Sequence, residues 1–337
     1  MRNRFGSLGL KIWPSLIAIT AAAVMVGGSP VRSETLDELI GAVVKIKTQI
    51  NPEGTTVRGL GRDREGSGIL IDADGLVLTI GYIMVEAYAA EVITNDGHTV
   101  PASIVGYDHE TGFGLLRTIE PLKVKPLAFG RSADVKVRDV AVVASGGGPS
   151  MVAPVVVVGK REFAGNWEYL LDEALFTAPP HPAWSGAALI SHEGKLVGVG
   201  SLIVGDANGS KDGMPGNMFV PIERLLPILA DLIADGRPMG PGRPWLGLNA
   251  DEARGHLVVS RVTPGGPAEK AGIERGAVII AVNGEMPLGL ADFYRKVWSQ
   301  GNAGAVVMLD LMQSHSVRHI EIKSVNRLDH LKLKSTF

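Results

Sequence analysis

The 337-residue chain contains no cysteine, so whatever folds must hold together without disulfides, even in an oxidising compartment. It also lacks an excess of charge of either sign. Lys and Arg total 33 against 35 Asp and Glu, a formal net charge of -2, which gives no reason to expect nucleic acid or acidic substrates as partners. No Gly-x-x-x-x-Gly-Lys-Ser/Thr phosphate loop occurs, and no His-Glu-x-x-His. The glycine-rich stretch Ser145-Gly146-Gly147-Gly148-Pro149 has neither the lysine nor the helix that phosphate cradling needs, and it reads as a mobile loop. No metal, nucleotide or other cofactor is expected.

What is present is β structure. Hydrophobic residues make up 45% and charged residues 20%, the balance of a globular protein with room for two or three domains. Between about Ala42 and Pro221, short apolar runs alternate with turn residues. Asp72-Ala73-Asp74-Gly75 and Asn95-Asp96-Gly97-His98 are hairpin signals between such runs. Many short strands with hardly a helix argue for a barrel or sandwich. The first helical spacing is Ile222, Leu225, Leu226, Leu229, Leu232 and Ile233, stopped by Gly236, with Pro227 bending the helix or marking its true first turn. Residues 222–244 are then helix and linker, the latter rich in Gly and Pro, and 245–330 form a compact unit.

At the N-terminus, Arg2, Arg4 and Lys11 precede the apolar run Ile12–Val26, and small residues follow. Residues 1–33 read as a signal peptide, with the periplasm as the natural destination. The competing reading is an uncleaved membrane anchor, but the run is short and is interrupted by Pro14 and Ser15.

Two motifs carry the functional reading. One is Pro180-His181-Pro182-Ala183-Trp184-Ser185-Gly186-Ala187-Ala188-Leu189, and the other is Gly66 to Thr79 running straight into Ile80-Gly81-Tyr82-Ile83-Met84. Together with the C-terminal third, they resemble the HtrA/Deg family of trypsin-like serine proteases with a C-terminal PDZ domain. The resemblance implies a mostly β fold, with a trypsin-like double β-barrel over 36–221 and a PDZ domain over 245–330. It also implies that the general base and the triad aspartate belong at Tyr82 and at Gly112 of Asp108-His109-Glu110-Thr111-Gly112-Phe113. Only the nucleophile position, Ser185, keeps its family residue.

A serine hydroxyl attacks poorly unless a base within hydrogen-bond reach removes its proton. Tyrosine, with a pKa near 10, is deprotonated in about one molecule in a thousand at pH 7. Gly112 has no side chain with which to orient or stabilise a cation. Loss of a triad serine or histidine in a comparable enzyme costs on the order of a millionfold in turnover. Ala183 stands where the family's glycine shapes the oxyanion hole, and Trp184 is able to fill the cleft. The expectation is a pseudoprotease with Ser185 as a vestigial nucleophile or a small residue kept at a tight turn. The alternative is a serine endopeptidase with a non-standard base, for which His98, His109 and His181 are the candidates.

The C-terminal unit runs Leu257 to Ile273 and on through Arg275-Gly276-Ala277-Val278-Ile279-Ile280 to Glu285, and this closely resembles the bacterial PDZ signature. The resemblance makes Trp245-Leu246-Gly247-Leu248 the loop whose amides hold a peptide carboxylate. It places the facing helix at about Leu290 to Trp298, with Leu246 and Leu248 lining the pocket of the last side chain. The implied partners are polypeptides or protein C-termini, with a homotrimer or an active homologue as assembly partner. The chain's own end, Ser335-Thr336-Phe337, has the pattern such grooves accept.

Overall fold

The computed structural model describes residues 35–210 and 212–333; the signal segment and Ser335-Thr336-Phe337 lie outside the described residues. Strands β1 (Val43–Ile50), β2 (Asp63–Leu70), β3 (Leu76–Ile80), β4 (Ala87–Ile93), β5 (Thr99–Tyr107) and β6 (Phe113–Thr118) close a barrel in the order β1-β2-β3-β6-β5-β4. A second barrel follows, from β7 (Val140–Ala144), β8 (Val152–Gly165), β9 (Tyr169–Ala178), β10 (Ala188–Ile190), β11 (Leu196–Val204) and β12 (Gly216–Pro221), in the order β10-β11-β12-β9-β8-β7. The third unit is a five-stranded sheet of β13 (Leu248–Ala253), β14 (His256–Val262), β15 (Val278–Val282), β16 (Val306–Gln313) and β17 (Ser316–Lys323). The helix Leu290–Trp298 buries Leu290, Phe293, Tyr294 and Val297.

The patterning explains the barrels. In β1, Ile46, Thr48 and Ile50 are buried while Gln49 between them is exposed, the period-2 signature of a strand with one wet face. β3 is buried at all five positions, because it packs on the second barrel through β11 as well as on its own core. The Asp72 carboxylate accepts from the amides of Asp74 and Leu76, and Gly75 takes φ +86°, so the first hairpin signal is realised through an Asx turn.

Two local expectations need correction. The chain after Pro221 does not form one helix. A 3-10 turn spans Ile222–Arg224 and a separate α-helix spans Leu229–Asp235; Pro227 between them has no N–H to donate. Nor is the Ser145–Pro149 stretch loose. The Ser145 hydroxyl donates to the Ala183 carbonyl at 2.6 Å, Gly146 N–H to Ser67 Oγ at 3.0 Å, and Gly147 N–H to Asn95 Oδ1 at 3.2 Å. Its glycines serve close approach rather than mobility, since a Cβ on Gly146 would lie 2.4 Å from the Lys45 nitrogen.

The tightest barrel-to-barrel approach is at Gly186. Its φ is +73°, and a Cβ there would sit 2.0 Å from the Ser67 carbonyl oxygen. Gly186→Ala is therefore expected to cost at least about 2 kcal/mol, from left-handed strain plus overpacking. Gly205, where an added Cβ meets nothing within 4 Å, is expected to accept alanine within about 0.5 kcal/mol. Urea unfolding midpoints of the two variants check the contrast.

Candidate functional site

Ser185 sits in the turn between β9 and β10, and its carbonyl accepts from Ser67 N–H at 2.8 Å. Gly186 N–H donates to the Gly200 carbonyl and Ala187 N–H to the Trp184 carbonyl. Tyr82 lies in the 3-10 turn Gly81–Ile83 that follows β3. The turn is held from below by Arg64 of β2, whose guanidinium donates to the carbonyls of Tyr82 at 2.7 Å and Val85 at 3.3 Å.

The structure brings Tyr82 and Ser185 together. The Tyr82 hydroxyl donates to the Ser201 carbonyl of β11 at 2.8 Å, and the side chains of Ser185 and Trp184 lie within polar reach of the same phenol. Ser185 Oγ itself is buried without a hydrogen bond of good geometry. Burial pushes the Tyr82 phenol up to about 12, against the opposing pull of Ser185 and Trp184. A neutral phenol already donating to a carbonyl is no proton acceptor at neutral pH.

Gly112 lies beside the Gly81–Ile83 turn. Ile80 pairs with Phe113 across β3 and β6, and Gly81 N–H donates to the Gly112 carbonyl at 2.6 Å. The turn is built by Asp108, whose carboxylate accepts from the amides of Glu110 and Thr111 and from the Thr111 hydroxyl. Gly112 adopts φ +81°, a conformation that disfavours most side chains. The amide of Ala183 points at His181 Nδ1, 3.2 Å away, so a donor that an oxyanion would need is turned inward.

None of the three candidate histidines bonds Ser185. His98 pairs with Glu120 at an exposed hairpin tip. His181 is buried with its Nδ1 facing the Ala183 amide and the Ser145 hydroxyl. His109 lies against the linker and PDZ side, in a small cavity shared with Glu168, Arg243 and Trp245. Burial, with Arg327 and Arg243 nearby, lowers its pKa to about 3, and its Nδ1 has no partner.

The loop at 245–248 does hold a carboxylate, and it comes from within the chain. Leu246 N–H donates to Glu168 Oε2 at 2.8 Å, while Gly247 and Leu248 N–H donate to Oε1 at 2.7 and 3.1 Å. Trp245 does not join them: its amide ladders to the Val325 carbonyl, and its ring packs on His330. Leu246 and Leu248 are buried in one apolar cluster with Phe293 and Val297.

Two family profiles match the chain, a trypsin-like peptidase domain over residues 66–199 and a PDZ domain over 258–311. The chain carries a trypsin-like peptidase domain followed by a PDZ domain. It is 26% identical over 327 residues to the serine protease PepD of Mycobacterium tuberculosis, covering 88% of this chain and 69% of that protein. It is 31% identical over 261 residues to a probable periplasmic serine endoprotease DegP-like of Rhizobium meliloti, of which it spans half. Among solved structures, an HtrA-type protease AlgW with a decapeptide superposes with a TM-score of 0.51 at 20% identity, over 89% of this chain and 99% of that one. That likeness establishes the fold.

The HtrA/Deg resemblance led to Tyr82, Gly112 and Ser185, but not to Arg64, Ser201 or Glu168. Arg64 and Glu168 are buried charged residues, and nothing in their sequence neighbourhood shows what they face. For His109 the consequence is measurable. A histidine depressed in the fold stabilises it fully above the ordinary imidazole pKa of about 6.5 and progressively less as the pH falls toward 3. His109→Leu is expected to flatten the acid limb of the stability profile by about 1.4 kcal/mol per pH unit below 6.5. Unfolding free energies at pH 7, 5.5 and 4.5 test this.

Proposed function

We propose that this is an exported, non-catalytic HtrA-like protein. It binds polypeptides or their C-termini through its PDZ domain, in a chaperone-like, adaptor or regulatory role in protein quality control. The observation that carries the proposal is the group beside Ser185: a neutral phenol committed to the Ser201 carbonyl, where acyl transfer needs a base. Two further observations support it. Gly112 offers no carboxylate, and the Ala183 amide is directed at His181 rather than toward the cleft. The peptide-binding part rests on the PDZ match and on the three convergent amides at Leu246–Leu248, with strand addition to the sheet edge as the binding mode. The periplasmic setting is supported by relatives named periplasmic endoproteases.

The test is casein cleavage and fluorophosphonate labelling of the full chain at pH 7.5, alongside Ser185→Ala. The expected outcome is no labelling of Ser185 and equal, background-level cleavage by both proteins. A serine-dependent rate would instead establish the alternative, a serine endopeptidase with a non-standard base. Tyr82→His alone is expected to leave cleavage at background, because the imidazole would have no carboxylate behind it and the oxyanion amide would stay engaged.

A further inference from the structure

The tip of the β8–β9 hairpin, Asn166-Trp167-Glu168, projects from the second barrel into the PDZ domain. Several polar groups along the β13–helix groove meet atoms of this hairpin. The carboxylate of Glu168 takes the amides of Leu246, Gly247 and Leu248. Two residues further along β13, Ala250 N–H donates to the Asn166 carbonyl at 3.1 Å, the bond an added peptide strand would accept. On the helix side, the Tyr294 hydroxyl donates to the Gly165 carbonyl at 2.7 Å and accepts from Glu168 N–H at 3.1 Å.

The apolar feature is matched as well. Leu170, two residues beyond the glutamate, is buried in the same cluster as Leu246, Leu248, Phe293 and Val297. The rim is fastened by Asn166 to Asp251, Arg295 to Glu162, and Arg327 Nη1 to the Trp167 carbonyl at 2.9 Å. Glu168 itself has φ +58°, a left-handed conformation that costs a non-glycine residue of the order of 1 kcal/mol or more. The hairpin accepts that strain to aim one carboxylate at three fixed donors.

From this geometry we infer that Glu168 and Leu170 act as an internal ligand: they stand in for the terminal carboxylate and apolar side chain of a C-terminal peptide and keep the groove closed until such a peptide displaces the hairpin. The inference rests on the peptide-binding reading of the PDZ domain and adds its regulation. A peptide carboxylate and the Glu168 carboxylate compete for the same N–H groups, so only one can be seated. If the groove is open in fewer than a tenth of molecules, the apparent affinity for peptide is reduced at least tenfold.

Two measurements on the full chain separate this inference from the reading beneath it. The first is hydrogen exchange of the Leu246, Gly247 and Leu248 amides in wild type and Glu168→Ala, with Tm monitored as a control for folding. Exchange is expected to accelerate at least tenfold in the variant at those amides and to stay unchanged in β16; equal exchange would overturn the internal ligand. The second is fluorescence anisotropy with a labelled decapeptide pool of randomised sequence ending in free-carboxylate Leu, Val or Phe, and with the same pool as C-terminal amides. Glu168→Ala is expected to bind the acids at least tenfold more tightly than wild type, with Glu168→Gln between them and the amides unbound. Equal binding by wild type and Glu168→Ala would overturn the closed groove. Faster exchange in Glu168→Ala with no binding of either pool would leave the internal contact standing and overturn the peptide-binding reading instead.

Discussion

Two β-barrels meet in this chain backbone to backbone, and that contact leaves no room for side chains at its centre. Ser67 N–H reaches the Ser185 carbonyl, and a Cβ on Gly186 would strike the Ser67 oxygen. A Cβ on Gly200 would fall 2.0 Å from the Trp184 carbonyl. The Ser185 turn is thus compressed between β2 and β11, and the chain can follow that path only with glycine at 186 and at 200.

The same contact is spanned by two tyrosines. Tyr82 reaches from the first barrel to the Ser201 carbonyl of the second, while Tyr169 reaches from the second barrel to the Thr111 carbonyl of the first at 2.8 Å. Both phenols are pushed toward the neutral form by burial, and a neutral phenol is a good donor to a carbonyl and a poor base. The two tyrosines form reciprocal struts across the cleft, on either side of the Gly81–Gly112 backbone bond. The two phenols and the Gly81–Gly112 bond make a hydrogen-bonded brace between the barrels, and Arg64 fixes the end of the brace that carries Tyr82.

Much of this was legible in the sequence, because the relevant signals are local. The turn chemistry of Asp72–Gly75, the alternation in β1 and the glycine-marked PDZ run each act within a few residues. The helix after Pro221 was over-read, since apolar spacing at Ile222, Leu225 and Leu229 persists through a proline that interrupts the backbone ladder. The glycines at 146–148 were read as freedom when they mark close approach to β1 and Asn95, a distinction set by what lies opposite and not by the glycines themselves. Glu168 was missed for the same reason. As a lone glutamate in a hairpin turn it looks like a solvated tip, and its three partners lie some eighty positions along the chain.

That distant contact is costly to arrange. A carboxylate removed from water needs hydrogen bonds to most of its lone pairs before burial becomes tolerable, and burial does push the Glu168 carboxyl up to about 7. Three amides and the nearby Arg327 oppose that cost. The loop has its own requirement: three convergent N–H groups sealed under Trp245 and the helix Leu290–Trp298 would be left unsatisfied without an acceptor. Each partner therefore stabilises a state of the other that neither could keep alone. On the internal-ligand proposal, a second carboxylate of the right reach would take the same three amides and return Glu168 to water, and that exchange would loosen the hold of the barrel on the PDZ domain.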